Sequence, residues 1–406
     1  MSNSRKWKIK IAVIFISLCM GLQYSISPVL NQIQDAYPKV KISFVQMLIT
    51  APALLSMIIA LVSGWLVLKV SKKQLALLGT FLMGICGFIP FLSDSFILLF
   101  LSRIFLGIGL GLVTVLSTAI VAEHFEGIER VKTLGIQGAS VGIGMFLSTT
   151  LGGLLGTFGF QYSYWVHLLG IISAIVVFTL LPETGRAIIA KNEKLELNIK
   201  VYKVSLLMVF EVLFLITFST NIAMHIGGSL AGNSSISGVL TGAFSGIQIV
   251  AGIILGFIRS RTKQNTLPLA MMSFGMGSLL LLLFPASFFM LLLGSLLCGF
   301  SQGVFVPSAM YEVSNAVSPV AVTLATACLN LSMGIAQLVS PSVLNGLSQI
   351  IFGEVTTVNV FTLCAIAMTV FPMALIIRNI KINKTKLNAP KSSDDAGPQN
   401  SKLESQ

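Results

Sequence analysis

The placement of lysine and arginine along a very apolar chain limits most strongly what this sequence can become. Long apolar stretches run from about Lys10 to Ile377, and nearly all the basic residues fall on alternate loops between them. The first stretch, Ile11 to Leu30, carries no formal charge. Roughly 20 helical residues at about 1.5 Å rise each cross a hydrocarbon core, so this stretch is long enough to span one. Arg5, Lys6, Lys8 and Lys10 precede it, and the positive-inside rule keeps that end in the cytoplasm. Every later loop then has an expected side. The inner loops carry Lys69, Lys72 and Lys73, then Arg130 and Lys132, then Arg186, Lys191, Lys194, Lys200 and Lys203. Arg259, Arg261 and Lys263 follow, and finally the tail from Arg378 to Lys402. The outer loops hold only Lys39 and Lys41. The inner loop around Glu312 has no basic residue, but no outer loop of that half has one either. A multi-pass helical membrane protein with both termini inside is expected, and the charge bias fits a bacterial plasma membrane.

Composition enters here as a check. Charged residues make up 10% of the chain, against about 25% in soluble proteins. A net charge of +12 would suggest nucleic acid for a soluble chain, but the loop bias accounts for it, and no nucleic-acid partner is expected. Cys19, Cys86, Cys298, Cys328 and Cys364 all lie in apolar stretches without paired spacing. They identify neither a disulfide framework nor a metal site. The first stretch is too long for a signal h-region and should remain as the first helix.

Helices are expected near 10–31, 43–69, 74–92, 96–122, 133–157 and 161–181, then near 203–226, 234–259, 266–284, 287–311, 320–346 and 357–379. The charged segment 183–203 breaks the hydropathy between these two sets. The expected organisation is an N-terminal six-helix half (1–182), a cytoplasmic central loop (183–203), a C-terminal six-helix half (204–379) and a disordered cytoplasmic tail (380–406). The fold class is thus an all-α membrane protein of about twelve transmembrane helices in two pseudo-repeat halves, an architecture common among secondary transporters.

Local motifs give this architecture a resemblance. The tract from Ser43 to Gln74 is similar to the second helix and following loop of the major facilitator superfamily, which usually read Gly-x-x-x-Asp-Arg-x-Gly-Arg-Arg. Gly64, Lys69, Lys72 and Lys73 keep their positions, Leu68 stands in the acidic one, and Ser71 replaces the turn glycine. In that family the acid helps latch the halves on the cytoplasmic side, so the departure puts that latch in doubt. Gly256 to Lys263 echoes the loop in the second half. Arg103, Gly107 and Gly109 resemble the family's Arg-x-x-x-Gly-x-Gly pattern, associated with proton-coupled members. Independently of the family, an Arg inside an apolar span costs at least ~2.5 kcal/mol and normally faces protein or a wet cavity. A structural Arg bonded to carbonyls, or one reaching the outer headgroups, is the competing reading.

The fifth helix resembles the antiporter signature of the drug/proton branch. Gly135, Gly144, Gly152 and Gly153 fall in register, while Ser148 and Thr149 occupy its Gly-Pro slot. Small-residue helix packing is the alternative. Glu123 and Arg130 bracket the next inner loop as acidic and basic residues do in the family, and are expected to brace it as a pair. Trp165 opens a sixth helix like the family's Trp-led one.

Candidate cavity residues come from polar stripes inside the spans. They are Gln23 and Ser27 on the first helix, Thr241, Ser245 and Gln248 on the eighth, Ser295 and Gln302 on the tenth, and Asn330 and Gln337 on the eleventh. Helix–helix hydrogen bonds, worth about 0.6 kcal/mol apiece, use the same residue types. Glu211 is the one acid well inside a span. A desolvated carboxyl there can hold a proton, or else reach inner-leaflet water or a lysine.

Protease motifs such as Gly-x-Ser-Gly or His-Glu-x-x-His are missing, as is a P-loop. No enzyme, cofactor or metal is expected. The expected function is secondary active transport, with proton-coupled export of a small organic or amphipathic compound by alternating access. Arg103 and Glu211 would couple the proton. The alternatives are a proton symporter importing a small neutral metabolite and a non-transporting membrane sensor. Expected partners are a small-molecule substrate, H+ as coupling ion and the lipid bilayer, with a monomer compatible as the working unit. Substrate, direction and coupling ion stay open at this level.

Overall fold

The computed structural model describes residues 3–183, 197–317 and 322–388. It is all helical, and no strand occurs among the described residues. In a bilayer every backbone polar group must be satisfied within its own segment, which selects helices from sequences this apolar. The chain forms α1 (Asn3–Ala36), α2 (Ile42–Thr50 and Pro52–Lys69), α3 (Lys72–Leu92), α4 (Phe96–His124), α5 (Gly127–Leu155) and α6 (Phe160–Leu180). The second set is α7 (Ile199–His225), α8 (Ser234–Thr262), α9 (Thr266–Leu283), α10 (Phe288–Ser314), α11 (Val322–Phe352) and α12 (Thr357–Asn388). Ser234–Leu283 reads as one apolar run of 50 residues. At about 1.5 Å per residue it is far too long for one crossing, and the turn Lys263–Asn265 divides it into α8 and α9.

Side-chain caps fix several starts. Ser71 accepts from the Gln74 N–H before α3, Ser95 from Leu98 before α4, Asn198 from Lys200 before α7, and Asn233 from Ser235 and Ile236 before α8. Each satisfies a donor that the first helical turn leaves open. α7 starts at Ile199 rather than near 203, and α12 runs to Asn388 rather than 379, because no proline or glycine stops either segment before Pro390. Most of the expected central loop (184–196) and the tail beyond 388 lie outside the described residues.

The largest local departure is in α1. The expectation was a continuous helix over 10–31, but the α-helix ends at Leu18 and gives way to 3-10 turns at Cys19–Tyr24 and Ser27–Val29. Pro28 cannot donate to the preceding turn. Pro52 likewise opens the second segment of α2.

Two apolar cores hold the halves separately. One gathers Phe218, Phe244, Phe274, Phe305 and Phe361 from α7 to α12; the other gathers Ile9, Ile16, Leu106, Leu116 and Val177 from the first set. A third cluster straddles the halves. It packs Ile26, Val29, Leu30, Val45 and Leu48 against Ile216 and Ala223. Large apolar side chains such as Ile58, Leu61, Phe105, Phe178, Ile253 and Val370 are exposed, the reverse of a water-soluble surface and suited to lipid. The protein is a multi-pass integral membrane protein.

Both ends of the described chain lie on one side, here the inner end, and the hydrogen bonds that join the halves gather toward the other. Ser27 Oγ donates to the Ser219 carbonyl at 2.5 Å. Asn345 Nδ2 donates to Gln46 Oε1 and Gln46 Nε2 to Asn221 Oδ1, both at 2.7 Å, and Asn345 also reaches Ser43 Oγ at 2.9 Å. α5 and α8 touch backbone to backbone at Gly153 and Gly238. Farther inward they part: Gly135 and Gly138 on α5, and Gly252 and Gly256 on α8, are exposed with open space where a Cβ would be. The molecule is closed at the outer end and open at the inner one.

Candidate functional site

Arg103 lies about two helical turns from the outer end of α4 and is fully buried. It points into its own half, not toward the interface. Its Nη1 donates to His167 Nε2 on α6 at 3.1 Å, and its guanidinium stands 5.6 Å from the centre of the Tyr164 ring. Nε and Nη2 have no hydrogen-bond partner, nor has the Tyr164 hydroxyl. His167 Nδ1 faces the Tyr164 carbonyl at 3.2 Å, and Ser25 Oγ of α1 lies 3.4 Å from Nε2. A donor on one side and a carbonyl on the other assign the ring's proton to Nδ1. Gly87 of α3 is required beside the ring, because a Cβ there would overlap it. Sequence reading singled out Arg103 and passed over His167, whose only signal was being an ionisable residue within a span.

Gly107 and Gly109, grouped with Arg103, carry helix packing. A Cβ at Gly107 would meet the Pro52 carbonyl of α2, and one at Gly109 the Gly79 carbonyl of α3 at 2.5 Å.

Glu211 is also fully buried, within the C-terminal half. Ser301 Oγ of α10 donates to its Oε1 at 2.9 Å, and Oε2 has no partner. Neither lysine nor lipid headgroup depth is involved. The carboxyl sits between α7 and α10 beside the apolar core, not on the polar interface of the halves. Ser301 was not among the sequence candidates.

The polar stripes divide by side-chain type. Thr241, Ser245 and Ser295 are buried, and their hydroxyls donate to carbonyls of their own helices, at Ser237, Thr241 and Leu291. Such bonds to the preceding turn satisfy the hydroxyl locally. Ser27 serves the outer closure. Gln23 is buried. The remaining amides reach farther. Gln248 Nε2 on α8 donates to Gln302 Oε1 on α10 at 3.1 Å, joining two of the stripes. Gln337 Nε2 on α11 donates to Tyr24 OH on α1 at 3.2 Å, across the halves. Asn330 is exposed on the inner part of α11. Gln137 on α5 donates to Ser117 at 2.9 Å and to Thr118 at 3.2 Å on α4. Tyr24, Gln137, Gln46, Asn221 and Asn345 were missed; each is a long polar side chain inside a span.

Three of the four in-register glycines of α5 sit at close approaches. A Cβ at Gly144 would overlap the Leu18 carbonyl, one at Gly152 the Ser25 carbonyl, and one at Gly153 would meet Gly238 at 2.5 Å. Gly135 has no such neighbour.

At the inner loops each half has its own clasp. Lys72 pairs with Glu123 at 2.5 Å, so Glu123 bonds across to α3 instead of to Arg130, which is exposed. Lys200 and Arg259 pair with Glu312 at 2.5 and 2.8 Å. Lys6 and Lys10 hold Glu129 at 2.6 and 3.1 Å, tying α1 to the start of α5. These two lysines keep the Glu129 carboxyl below its usual range. Lys69 stacks on the Trp65 ring at 3.9 Å and Lys73 on Phe178 at 5.6 Å. Gly64 lies in the last turns of α2.

The sequence profile of the Major Facilitator Superfamily matches this chain twice, over residues 11–217 and 204–402. The chain belongs to the Major Facilitator Superfamily. It is 31% identical to the riboflavin transporter RibZ of Clostridioides difficile over 186 residues, 44% of this chain and 40% of that protein. It is 27% identical to the quinolone resistance protein NorA of Staphylococcus aureus over 151 residues, 37% of this chain and 39% of that one. The chain thus spans about two fifths of the length of these relatives. A bacterial homologue of the human lysosomal transporter Spinster, in an inward-facing and unoccupied conformation, superposes with a TM-score of 0.69 at 15% identity, covering 93% of this chain and 96% of that one. The superfamily is one of transporters and not of enzymes. The two profile matches overlap over residues 204–217, within α7.

Proposed function

We propose that this chain is a secondary active transporter that works by alternating access and exports a small organic compound in exchange for protons. The observation that carries the reading is the pairing of a closed outer end with an open inner end around two separately cored halves. That arrangement suits a central site exposed to each side in turn. The inner end is the cytoplasmic one in this reading, with both termini there, in a bacterial plasma membrane. Energy comes from the proton gradient through Arg103 and Glu211, among the described residues the one buried arginine or lysine of the N-terminal half and the one buried acid of the C-terminal half. The unpartnered Oε2 of Glu211 suits a carboxyl that binds and releases a proton inside the half.

The interface residues favour a substrate without strong charge. Gln337, Gln248, Gln302, Asn330 and Tyr24 offer amide and phenol groups, and Met57 and Phe146 offer polarizable apolar surface. Flat fused-ring compounds bearing a ring carbonyl match such a lining, a class that includes both riboflavin and quinolones. The four sequence positions shared with the antiporter signature favour exchange over symport.

The test uses purified protein in lipid vesicles under an imposed pH gradient, with riboflavin and a fluorescent quinolone as probes. Proton movement opposite to probe movement is expected. Glu211→Gln should abolish gradient-driven accumulation and leave probe exchange intact. Proton and probe moving together would replace the reading with a symporter. No movement of either, with these probes or with neutral metabolites, would leave a non-transporting role.

A further inference from the structure

We propose that His167 is the proton-binding residue of the N-terminal half, and that its protonation switches the ring from Arg103 to the 3-10 turn of α1 that closes the outer end. The proposal deepens the proton-coupled reading above and rests on it.

The present arrangement admits one protonation state only. Nδ1–H donates to the Tyr164 carbonyl, and the Nε2 lone pair accepts from Arg103 Nη1. A proton arriving from water at the outer side binds that lone pair. The imidazolium then presents N–H groups at both nitrogens, and Nε2–H faces the N–H of a cation. The Arg103 bond breaks. Two acceptors stand ready on α1: Ser25 Oγ, 3.4 Å from Nε2, and the Leu22 carbonyl, which also lies within hydrogen-bonding reach of the ring. Arg103 keeps free donors at Nε and Nη2 for water entering from outside.

Few other groups face the ring. Arg103 on α4 is the charged one, and Tyr164 on its own helix is the titratable one, with Tyr37 beyond it. From α1 come only Ser25 and the Leu22 carbonyl, and from α3 only Gly87, whose lack of a side chain makes room for the imidazole. Among the described residues in these contacts there is no carboxylate to hold the imidazolium in place. Charging the ring therefore drives rearrangement, not a tighter pair.

The rearrangement lands at the joint of the outer closure. The Leu22 carbonyl already accepts from the Ser25 N–H at 3.2 Å within the turn, so drawing it toward His167 loosens that turn. Two residues on, Ser27 Oγ makes its bond to Ser219 in the other half. The Ser25 carbonyl itself lies against Gly152 of α5. A neutral ring thus goes with the outer end closed, as seen here, and a charged ring with it opening.

The experiment reads the outer opening directly. Spin labels at Asp35→Cys and Ser229→Cys, one beyond each half, are placed in a background with Cys86→Ala and Cys328→Ala and reconstituted in lipid discs. Pulsed dipolar distances are recorded from about pH 8 down to about pH 4, reaching below the range over which a free imidazole charges. The parent should shift toward the longer outer distance as pH falls. His167→Gln should lose that shift, and His225→Gln should keep it. Ser25→Ala deletes only one acceptor hydroxyl, and should require about threefold more protons for half-opening; it keeps the test open should His167→Gln fail to fold. A parent response that survives both His167→Gln and Ser25→Ala unchanged would remove His167 while leaving proton coupling standing. A parent with no pH response would remove both.

Discussion

Replacing Gln46 by alanine should move the resting conformation toward the outward-open state by about sevenfold. Gln46 is 1% exposed and stands between two partners, accepting from Asn345 Nδ2 and donating to Asn221 Oδ1 at 2.7 Å each. Both bonds cross from α2 to the other half, so opening the outer end must break both. Interhelical hydrogen bonds in membrane proteins average about 0.6 kcal/mol, which gives about 1.2 kcal/mol for the pair. With 1.4 kcal/mol per factor of ten, that is a shift of about sevenfold. The assay is the rate at which a membrane-impermeant maleimide, added outside, labels Ser219→Cys. The side chain at this position is buried and its backbone carbonyl accepts from Ser27 Oγ at the closure, so labelling reports the open population. Asn345→Ala should act in the same direction. The Gln46→Ala/Asn345→Ala double variant should fall short of additivity by roughly one bond, about 0.6 kcal/mol, because they share it. All the groups are neutral, so raising salt should leave the ratio unchanged. A labelling rate within twofold of the parent, or a slower one, would refute the view that these amides set the outer closure.

Two further outcomes follow from packing and charge. Gly144→Val should lower thermal stability in detergent by about 1–3 kcal/mol or more, since the side chain would be driven into the Leu18 backbone, whereas Gly135→Val, at an open position on the same helix, should stay within about 0.5 kcal/mol. Melting both by intrinsic fluorescence distinguishes a packing role for the first from one shared along the whole signature. Glu312→Ala releases Lys200 and Arg259 together; faster hydrogen exchange at the inner ends of α7, α8 and α10 is expected, worth about 1 kcal/mol and reduced at high salt.

The helices could be read from the sequence because hydropathy and loop charge are local quantities. The break in α1 could not be placed as well, although Pro28 marks it. Its 3-10 turns are held by neighbours from α5 and α6 that a one-dimensional pattern does not bring near. The polar stripes teach a sharper lesson. Thr241, Ser245 and Ser295 find acceptors one turn back in their own helices, whereas Ser27 and Ser301 reach another helix. Glutamine and asparagine carry two donors on a longer arm and cannot be satisfied by one carbonyl. They reach across helices, as Gln248 does to Gln302 and Gln46 to Asn221. Amides inside the spans were therefore the better guide to where helices and halves meet. His167 escaped for a related reason: its partner Arg103 is on another helix, and only the glycine at position 87 on a third makes the pair fit.

Leu68 in place of an acid, the departure noticed first, bears on the conformation seen here. Without a carboxylate at that position, Lys69 rests on Trp65 and Lys72 turns to Glu123 within its own half. In the other half Arg259 turns likewise to Glu312. Glu123 and Glu312 are thus spent on holding each half together, and among the described residues the bonds between halves gather at the outer end, where they are uncharged. A transporter with this distribution rests open to the inside. Under the exchange mechanism proposed above, the driving ion would act on the outer closure, the barrier that remains. In the proton-coupled reading proposed above, the coupling proton would act in the outer third of the bundle, the depth at which the Arg103 and His167 pair lies beside the turn of α1.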